Sequence, residues 1–227
     1  MNNSEIYKNL EMITAPYINE VFDAKTVFFT SDLHFGHKNI IKYCNRPYSD
    51  LNEMEESIIR QWNNYVPEDS DVFILGDVAF SLSKTKIAEI LNKCNGRKHL
   101  ILGNHDRLKS LPLDCFVHIS TQDQIVIKSA DDEGNNTFTT CVLSHYPLMR
   151  WAGCSRGVFS LHGHEHGNIP NKEYMLNQMD VGWDTTYKAN EYGYVSPLSA
   201  KPYSWQDICD SFTTRMMKND GKPIIGF

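Results

Sequence analysis

The stretch Val72-Phe73-Ile74-Leu75-Gly76-Asp77 decides the fold that this sequence predicts. Four consecutive apolar residues are typical of a short strand buried on both faces, and the glycine lets the backbone turn sharply before the carboxylate. The same order recurs where Val27-Phe28-Phe29 runs towards Asp32, and where His99-Leu100-Ile101-Leu102 runs into Gly103-Asn104-His105-Asp106. Three apolar strands that end in polar side chains predict a ligand site at one edge of a sheet.

The segments between these strands show the apolar spacing of helices. Helices are predicted over about residues 52–65 and 85–94, so the strands of the first half should pair in parallel. In the second half, segments 124–128 and 137–143 flank the polar turn 131–136, which predicts an antiparallel hairpin. Three further elements are expected: strands over residues 158–161 and 174–181, and a final helix capped by Ser204. The sequence therefore predicts an α/β fold with both parallel and antiparallel pairing.

The composition excludes several classes of protein. The chain has 227 residues with 41% apolar side chains, and its net charge of −6 gives no overall basic field for nucleic acid or anionic lipid. It shows no secretory signal and no apolar stretch near the roughly 20 residues that span a bilayer. The six cysteines lack any Cys-x-x-Cys pair, so we expect reduced thiols in a cytoplasmic protein. We expect a helical extension over residues 1–24, followed by a single domain over residues 25–227 that ends in a helix.

Five short strings carry the chemistry: Asp32-Leu33-His34, Gly76-Asp77, Gly103-Asn104-His105-Asp106, His145 and Gly163-His164-Glu165-His166. Four of the five follow an apolar run that is predicted to be a strand. The candidate ligands among them are two carboxylates, four imidazoles and one amide oxygen: Asp32, Asp77, His34, His145, His164, His166 and Asn104. This donor set suits Mn²⁺, Fe²⁺, Zn²⁺ or Ni²⁺ better than Ca²⁺. Two such ions at one sheet edge would indicate hydrolysis of a phosphate ester.

The ordered set D-x-H, G-D, G-N-H-D, H and G-H-x-H resembles the calcineurin-like metallophosphoesterase superfamily, from about Phe28 to Asp184. The longer string 31–41, SDLHFGHKNII, resembles a small branch that is common in bacteria and phages. The resemblance implies a four-layer αββα sandwich with mixed sheets and two divalent metals, Mn²⁺ foremost, at the strand ends. It implies attack on the phosphate by a hydroxide that bridges the two metals.

The resemblance also implies a role for each residue of the strings. One metal would be held by Asp32, His34, Asp77 and His166, and the other by Asp77, Asn104, His145 and His164, with Asp77 shared. His105 would not bind metal. It would stabilise the phosphoryl group or protonate the leaving oxygen, and Asp106 would orient its ring.

Each of the other polar or aromatic residues near the strings could have one of two roles. His37 and Asn39 could touch substrate or cap the following helix. Arg46 could clamp a phosphate through its bidentate fork or be an ordinary surface arginine. Arg150 and Trp151 could line the pocket, with the indole stacking on a ring, or could serve core packing.

Two residues could support the metals from behind. His162 precedes Gly163 and could be a ligand in a shifted register, but we favour a buried strand residue whose ring supports the ligands. Asp184, in Val181-Gly182-Trp183-Asp184, could hold a ligand in place or be a turn residue.

We expect a small phosphate ester as the substrate, with nucleotides included and nucleic acid left open. The absence of a large cap region favours phosphodiesters by analogy. Three alternatives remain open: a protein or nucleotide phosphomonoesterase, a nuclease, and a non-enzymatic scaffold of the same fold. The sequence predicts no membrane partner and does not determine the oligomeric state.

Overall fold

The computed structural model of the protein describes residues 14–169, 177–187 and 199–218. Two five-stranded sheets face each other, and each combines parallel with antiparallel pairing. The predicted α/β fold class is therefore confirmed.

The first sheet has the order β10-β2-β3-β4-β5. Its strands are β2 (Val27–Thr30), β3 (Asp71–Ile74), β4 (Arg97–Ile101), β5 (Phe116–Ser120) and β10 (Tyr203–Ser204). Strands β2 to β5 are parallel, as the alternation of strand and helix predicts, and β10 pairs antiparallel with β2. Their carboxyl ends therefore lie at one edge.

The second sheet has the order β1-β6-β7-β8-β9. Its strands are β1 (Ile18–Asp23), β6 (Gln122–Ala130), β7 (Asn136–Ser144), β8 (Phe159–His162) and β9 (Gln178–Asp180). Strands β6 and β7 form the predicted antiparallel hairpin, whereas β7, β8 and β9 run parallel. The parallel set again places its carboxyl ends together.

Four helices complete the described fold: α1 (Ile40–Tyr43), α2 (Leu51–Tyr65), α3 (Lys84–Leu91) and α4 (Trp205–Lys218). The start of α4 is the predicted capping box: the Asp207 N–H donates to Ser204 Oγ, and the Ser204 N–H donates back to the Asp207 carboxylate at 2.9 Å. The cap fixes where the chain leaves β10.

Alternation along the central strands builds two apolar cores. In β3, Val72 and Ile74 face helices α1 to α3, whereas Phe73 packs between the sheets with Leu75, which follows it. Helix α4 contributes Trp205 and two further apolar side chains to the core between the sheets. A strand buried on both faces reads as a continuous apolar run, which explains the opening stretch of sequence.

The helical extension predicted over residues 1–24 is wrong at its end, because residues 18–23 form β1 and pair in parallel with β6. Only Phe22 of this strand is buried, so its apolar pattern is weak. The strand is stabilised by pairing with a segment about 100 residues away, which local sequence does not reveal. Residues 1–13 and 174–176, on which parts of two predicted elements fall, lie outside the described residues.

A polar network around the buried Asp71 ties β3 to β4 at the edge opposite the strand ends. The Asp71 carboxylate accepts from both Arg97 Nε and Nη2, at 2.9 and 2.6 Å, and lies 2.8 Å from His99 Nε2. Burial by itself would raise the pKa of Asp71, but the hydrogen bonds from His99 and Arg97 lower it to about 2.

Asp71→Asn should therefore remove a pH-dependent part of the folding free energy. A carboxyl group whose pKa is lowered by folding stabilises the protein above its unfolded pKa of about 4, and this contribution is lost as the pH falls towards 2. Urea unfolding should show a deficit of about 1–2 kcal/mol at pH 6 that shrinks below pH 4. Glu89→Gln, which breaks an exposed ion pair with Lys86, is the matched control and should show no such deficit. A deficit independent of pH would contradict this account of Asp71.

Candidate metal centre

The predicted ligands come together where the strands of both sheets end. Asp32 follows β2, Asp77 follows β3 and Asn104 follows β4, whereas His145 and His164 follow β7 and β8. Parallel strands within each sheet bring these positions to one edge. The site thus draws on segments from residue 32 to residue 166.

His145 shows why a cation fits between these groups. Its Nδ1 lies 2.7 Å from the Leu75 carbonyl oxygen and donates to it, which directs Nε2 into the site. That nitrogen faces two oxygens, Asn104 Oδ1 at 2.8 Å and Asp77 Oδ2 at 3.7 Å. His164 Nδ1 lies 3.0 Å from the same Asn104 oxygen. Acceptors that converge in this way call for a positive ion between them.

A second group surrounds Asp32. His34 Nε2 lies 4.0 Å from Asp32 Oδ1 and 3.7 Å from Asp77 Oδ2, and His166 Nε2 lies 3.9 Å from Asp32 Oδ1. Asp32 Oδ1 and His34 Nε2 are buried and have no hydrogen-bond partner within the described ranges. Buried polar atoms without a partner are costly, and a divalent ion would satisfy both. The donor atoms of Asp32, His34 and His166 lie within 4.8 Å of one another, as do those of Asp32, Asp77 and His145.

Burial sets the charges of these groups when no ion lies among them. Burial raises the pKa of Asp32 to about 8 and lowers the pKa of His34 to about 2. Burial would also lower the pKa of His166, but its hydrogen bond to Asp184 dominates and raises the pKa to about 10. A protonated His166 then takes the place of a cation beside Asp32, and metal binding would release that proton.

Asp184 and Arg46 hold His166 from behind. His166 Nδ1 lies 2.6 Å from Asp184 Oδ2, which directs Nε2 towards Asp32. Arg46 donates two hydrogen bonds to the Asp184 carboxylate, from Nε at 2.8 Å and from Nη2 at 2.9 Å. Asp184 thus lies behind His166, and its role as a support of the ligands stays a prediction.

Arg46 is not the phosphate clamp that the sequence suggested, nor is it a surface residue. It is 3% exposed, and its remaining donors reach the carbonyl oxygens of Asp32 and Leu33 and the sulfur of Met54. All five N–H groups are thus occupied within the protein. Arg46 fixes the end of β2 instead.

Asp106 does not take the role predicted for it. Its carboxylate accepts from three backbone N–H groups: those of Asp77 at 2.8 Å, Gly103 at 2.9 Å and Val78 at 3.1 Å. The side chain therefore ties the loop after β3 to the loop after β4. It positions Asp77 rather than the ring of His105.

Five of the predicted ligands have left-handed backbone conformations. Their φ angles lie between 50° and 72°, in a region that L residues rarely adopt: Asp32, His34, Asp77, His164 and His166. Only three other non-glycine residues among the described ranges share this property. Such strain concentrates where a fold sets the direction of functional side chains.

The glycines of the strings leave room for the ligands. A Cβ atom at Gly103 would collide with the Asp77 carboxylate, and one at Gly76 would collide with Nδ1 of His145. At Gly163 a Cβ would overlap Ser31 Oγ and lie 2.5 Å from Asp32 Oδ2. Close approach to the ligands, as predicted, explains these glycines.

Gly163→Ala should destabilise the protein by about 1–3 kcal/mol, because the added methyl group must displace Ser31 or Asp32. Metal affinity should fall with it, since Asp32 cannot keep its position. Thermal unfolding and a metal titration would measure both effects. Gly134→Ala is the control for metal affinity: no atom lies within 4 Å of its added Cβ, but its φ of 84° strains any side chain, so it should lower stability without changing metal affinity. An unchanged metal affinity in Gly163→Ala would contradict the tight fit.

The remaining candidates occupy different places. His37 is half-buried beside His34, with ring centroids 5.4 Å apart, whereas Asn39 is exposed at the N-cap of α1 and makes no side-chain capping bond. Arg150 is exposed. Trp151 is 8% exposed and its Nε1–H donates to the Val158 carbonyl oxygen, so it packs rather than stacking on a ligand.

His162 is fully buried at the end of β8, where its Nδ1–H donates to the Gly163 carbonyl oxygen. Burial lowers its pKa. The structure therefore places it as an inward strand residue, directly before the ligand string.

Sequence reasoning missed three residues at the rim of the site. Phe80 and Tyr146 expose 36% and 50% of their surface beside His105 and His164, respectively. Cys44 Sγ lies 3.4 Å from His166 Nδ1. An aromatic residue directly after a predicted motif, as Tyr146 follows His145, was the available signal.

Fold and site together define a class: two mixed sheets whose strand ends gather carboxylates and imidazoles are the framework of a metal-dependent phosphoesterase. The chain belongs to the calcineurin-like phosphoesterase family, whose model matches residues 25–207. Membership implies metal-dependent hydrolysis of a phosphate ester.

Several proteins are similar to this chain. The gene 66 protein of Mycobacterium phage L5 is 31% identical, and the alignment covers 69% of this chain and 86% of that protein. The gene 66 protein of phage D29 is 29% identical over 86% of this chain and 96% of its own length. An uncharacterized protein of Methanocaldococcus jannaschii is 46% identical over 84 residues, which are 37% of this chain and about half (48%) of that protein. The phage proteins fit the small phage-type branch that the sequence resembles.

A solved structure supports the fold. The crystal structure of a protein of unknown function from Aquifex aeolicus superposes with a TM-score of 0.55 at 23% identity, covering 81% of this chain and 97% of that one. Within the described part of the chain, no helix has both the length and the apolar character needed to cross a bilayer.

Proposed function

We propose that this protein hydrolyses phosphodiesters with the help of two divalent metal ions. The observation that carries the proposal is the convergence of carboxylate, imidazole and amide groups at the strand ends, centred on Asp77 and Asp32. His145 is the clearest case, because its Nδ1 is used by the Leu75 carbonyl while its Nε2 faces two oxygens.

Seven side chains would hold the ions. Asp32, His34 and His166 would bind one, Asn104, His145 and His164 would bind the other, and Asp77 would bridge the two. When bound, the ions supply a nucleophilic water at neutral pH and offset the charge on the phosphoryl oxygens. Mn²⁺ is the ion we favour, with Fe²⁺, Zn²⁺ and Ni²⁺ compatible with the same donors.

We assign His105 to the phosphate rather than to a metal. Its ring is 38% exposed, with Nε2 3.9 Å from Asp77 Oδ2, and its backbone N–H donates to Asp77 Oδ1 at 2.9 Å. This hydrogen bond holds His105 beside the bridging carboxylate while the ring faces the open side. A proton on Nε2 would then reach the leaving oxygen of a bound ester.

The electrostatics of the site favour a diester over a monoester. A monoester carries an additional negative charge, which would call for a cationic side chain at the phosphate. Arg46, which the sequence suggested for that task, is paired with Asp184 instead. A diester carries a single negative charge and therefore does not need that additional cationic side chain.

The best test compares bis-p-nitrophenyl phosphate with p-nitrophenyl phosphate, using metal-stripped protein reloaded with Mn²⁺, Ni²⁺, Zn²⁺ or Mg²⁺. We expect higher kcat/KM for the diester, and highest activity with Mn²⁺. Preference for the monoester would reverse the substrate assignment. Absence of both metal binding and hydrolysis would favour the scaffold alternative.

A panel of single-stranded and duplex DNA and RNA tests the nuclease alternative. The net charge of −6 leads us to expect slower cleavage than for small diesters. The six free thiols fit a reducing, cytoplasmic location, which cell fractionation would test.

A further inference from the structure

A cavity of about 210 Å³ opens beside His105, away from the predicted metal ligands of β7 and β8. Its lining combines the apolar side chains of Leu82, Ile87 and Leu111 with polar groups, and Arg107 and Ser110 lie at its exposed rim. A volume of roughly 150 Å³ is enough to accommodate a benzene ring. The space beside His105 therefore suits one planar ring.

Phe80 forms an aromatic wall of this cavity. Its ring stacks on His37, with centroids 4.4 Å apart and planes 28° apart, and meets His105 edge-on at 5.3 Å and 80°. The ring nevertheless remains 36% exposed. An exposed aromatic ring that is already fixed by two neighbours can bind a second ring with little loss of side-chain entropy.

The position of the cavity identifies which part of a substrate would occupy it. His105 lies both at the cavity wall and beside Asp77. A group that leaves from a phosphate bound near Asp77, and that receives its proton from His105, would extend into the cavity.

We propose that this cavity is a subsite for the leaving group and that it selects phosphate esters of alcohols that carry a planar ring, either an aryl ring or a nucleobase. Apolar contacts with Leu82 and Leu111 and ring contact with Phe80 would supply the preference. The proposal rests on the proposed function, because it takes His105 as the residue on the leaving-group side.

The test measures dissociation constants by calorimetry on Mn²⁺-loaded protein for three phosphonates that cannot be hydrolysed. Methylphosphonate has no ring, phenylphosphonate has an aryl ring, and a thymidine 5′-phosphonate with CH₂ in place of the ester oxygen has a nucleobase. We expect at least one ring-bearing phosphonate to bind ~10-fold more tightly than methylphosphonate. The one that does so identifies the source of the ring.

Two variants locate the ring. Phe80→Ala removes the aromatic wall, and Ser110→Trp fills the cavity from its exposed rim, so both should bring the ring-to-methyl ratio to within ~2-fold of one. The dissociation constant of methylphosphonate should stay the same. Tyr146→Ala is the matched control, because Tyr146 is an exposed aromatic residue against His164, on the other side of the site, and should leave the ratio unchanged.

A ratio that is near one in the unmodified protein, or that survives both Phe80→Ala and Ser110→Trp, would overturn the subsite. Failure of the proposed function gives a different result, since bis-p-nitrophenyl phosphate would then not be hydrolysed, whatever the ring-to-methyl ratio. Binding is measured without turnover, so the two failures are separable.

Discussion

Asp77→Asn should lower kcat by at least ~10³-fold and reduce the bound metal below two ions per chain. Asp77 faces histidines of both groups of donors, with Oδ2 3.7 Å from His34 Nε2 and from His145 Nε2. Asparagine keeps an oxygen for the His105 N–H and tolerates the left-handed backbone, with a φ of 56°. The variant therefore removes charge without removing the fold.

Elemental analysis of protein dialysed against Mn²⁺, together with steady-state kinetics on bis-p-nitrophenyl phosphate, would measure both effects. Asp69→Asn changes an exposed aspartate at the opposite end of β3 and should leave metal content and rate unchanged. Two tightly bound ions and normal turnover in Asp77→Asn would show that Asp77 is not the shared ligand.

His105→Ala should retain both metals but lose at least ~100-fold in kcat, because a positioned acid contributes about 10²–10⁴ to such a reaction. The dependence on the leaving group separates the two roles considered for His105. If His105 protonates the leaving oxygen, the loss should be larger for bis-phenyl phosphate than for bis-p-nitrophenyl phosphate, whose leaving group departs without help. If it stabilises the phosphoryl group, the losses should be equal.

Metal content measured on the same samples is the control for His105→Ala, since His105 is not among the seven proposed ligands. Unchanged turnover in the fully metal-loaded variant would remove His105 from the reaction. A loss of metal would show that His105 contributes to metal binding instead.

The sequence predicted the elements whose signal is local. The run Val72-Phe73-Ile74-Leu75 is apolar because β3 is buried on both faces, and the hairpin of β6 and β7 follows from its polar turn. In contrast, β1 exposes most of its residues and β5 contains His118, so neither shows a clear apolar pattern. Both depend on pairing with distant strands.

Within the site, too, local sequence predicted the strings but not the partners that each side chain binds. The ligand strings could be found because each follows a strand and carries metal-binding groups. Arg46 could not be assigned, because its carboxylate partner is 138 residues away and a guanidinium serves a phosphate or a buried carboxylate equally well. Asp106 adjoins His105 in sequence, yet its oxygens point to backbone groups of other loops. Adjacency in sequence does not fix the direction of a side chain.

The left-handed conformations of the predicted ligands lower the stability of the fold at the residues that the activity would need. A non-glycine residue in this region costs on the order of 1–3 kcal/mol, and a histidine or aspartate can be held there only by the rest of the fold. Glycine at position 34 would release that backbone cost while it removed a predicted ligand. Selection for stability alone would therefore disfavour these residues. Binding of the ions would offset the conformational free energy that the left-handed backbone of Asp32, His34 and His166 costs.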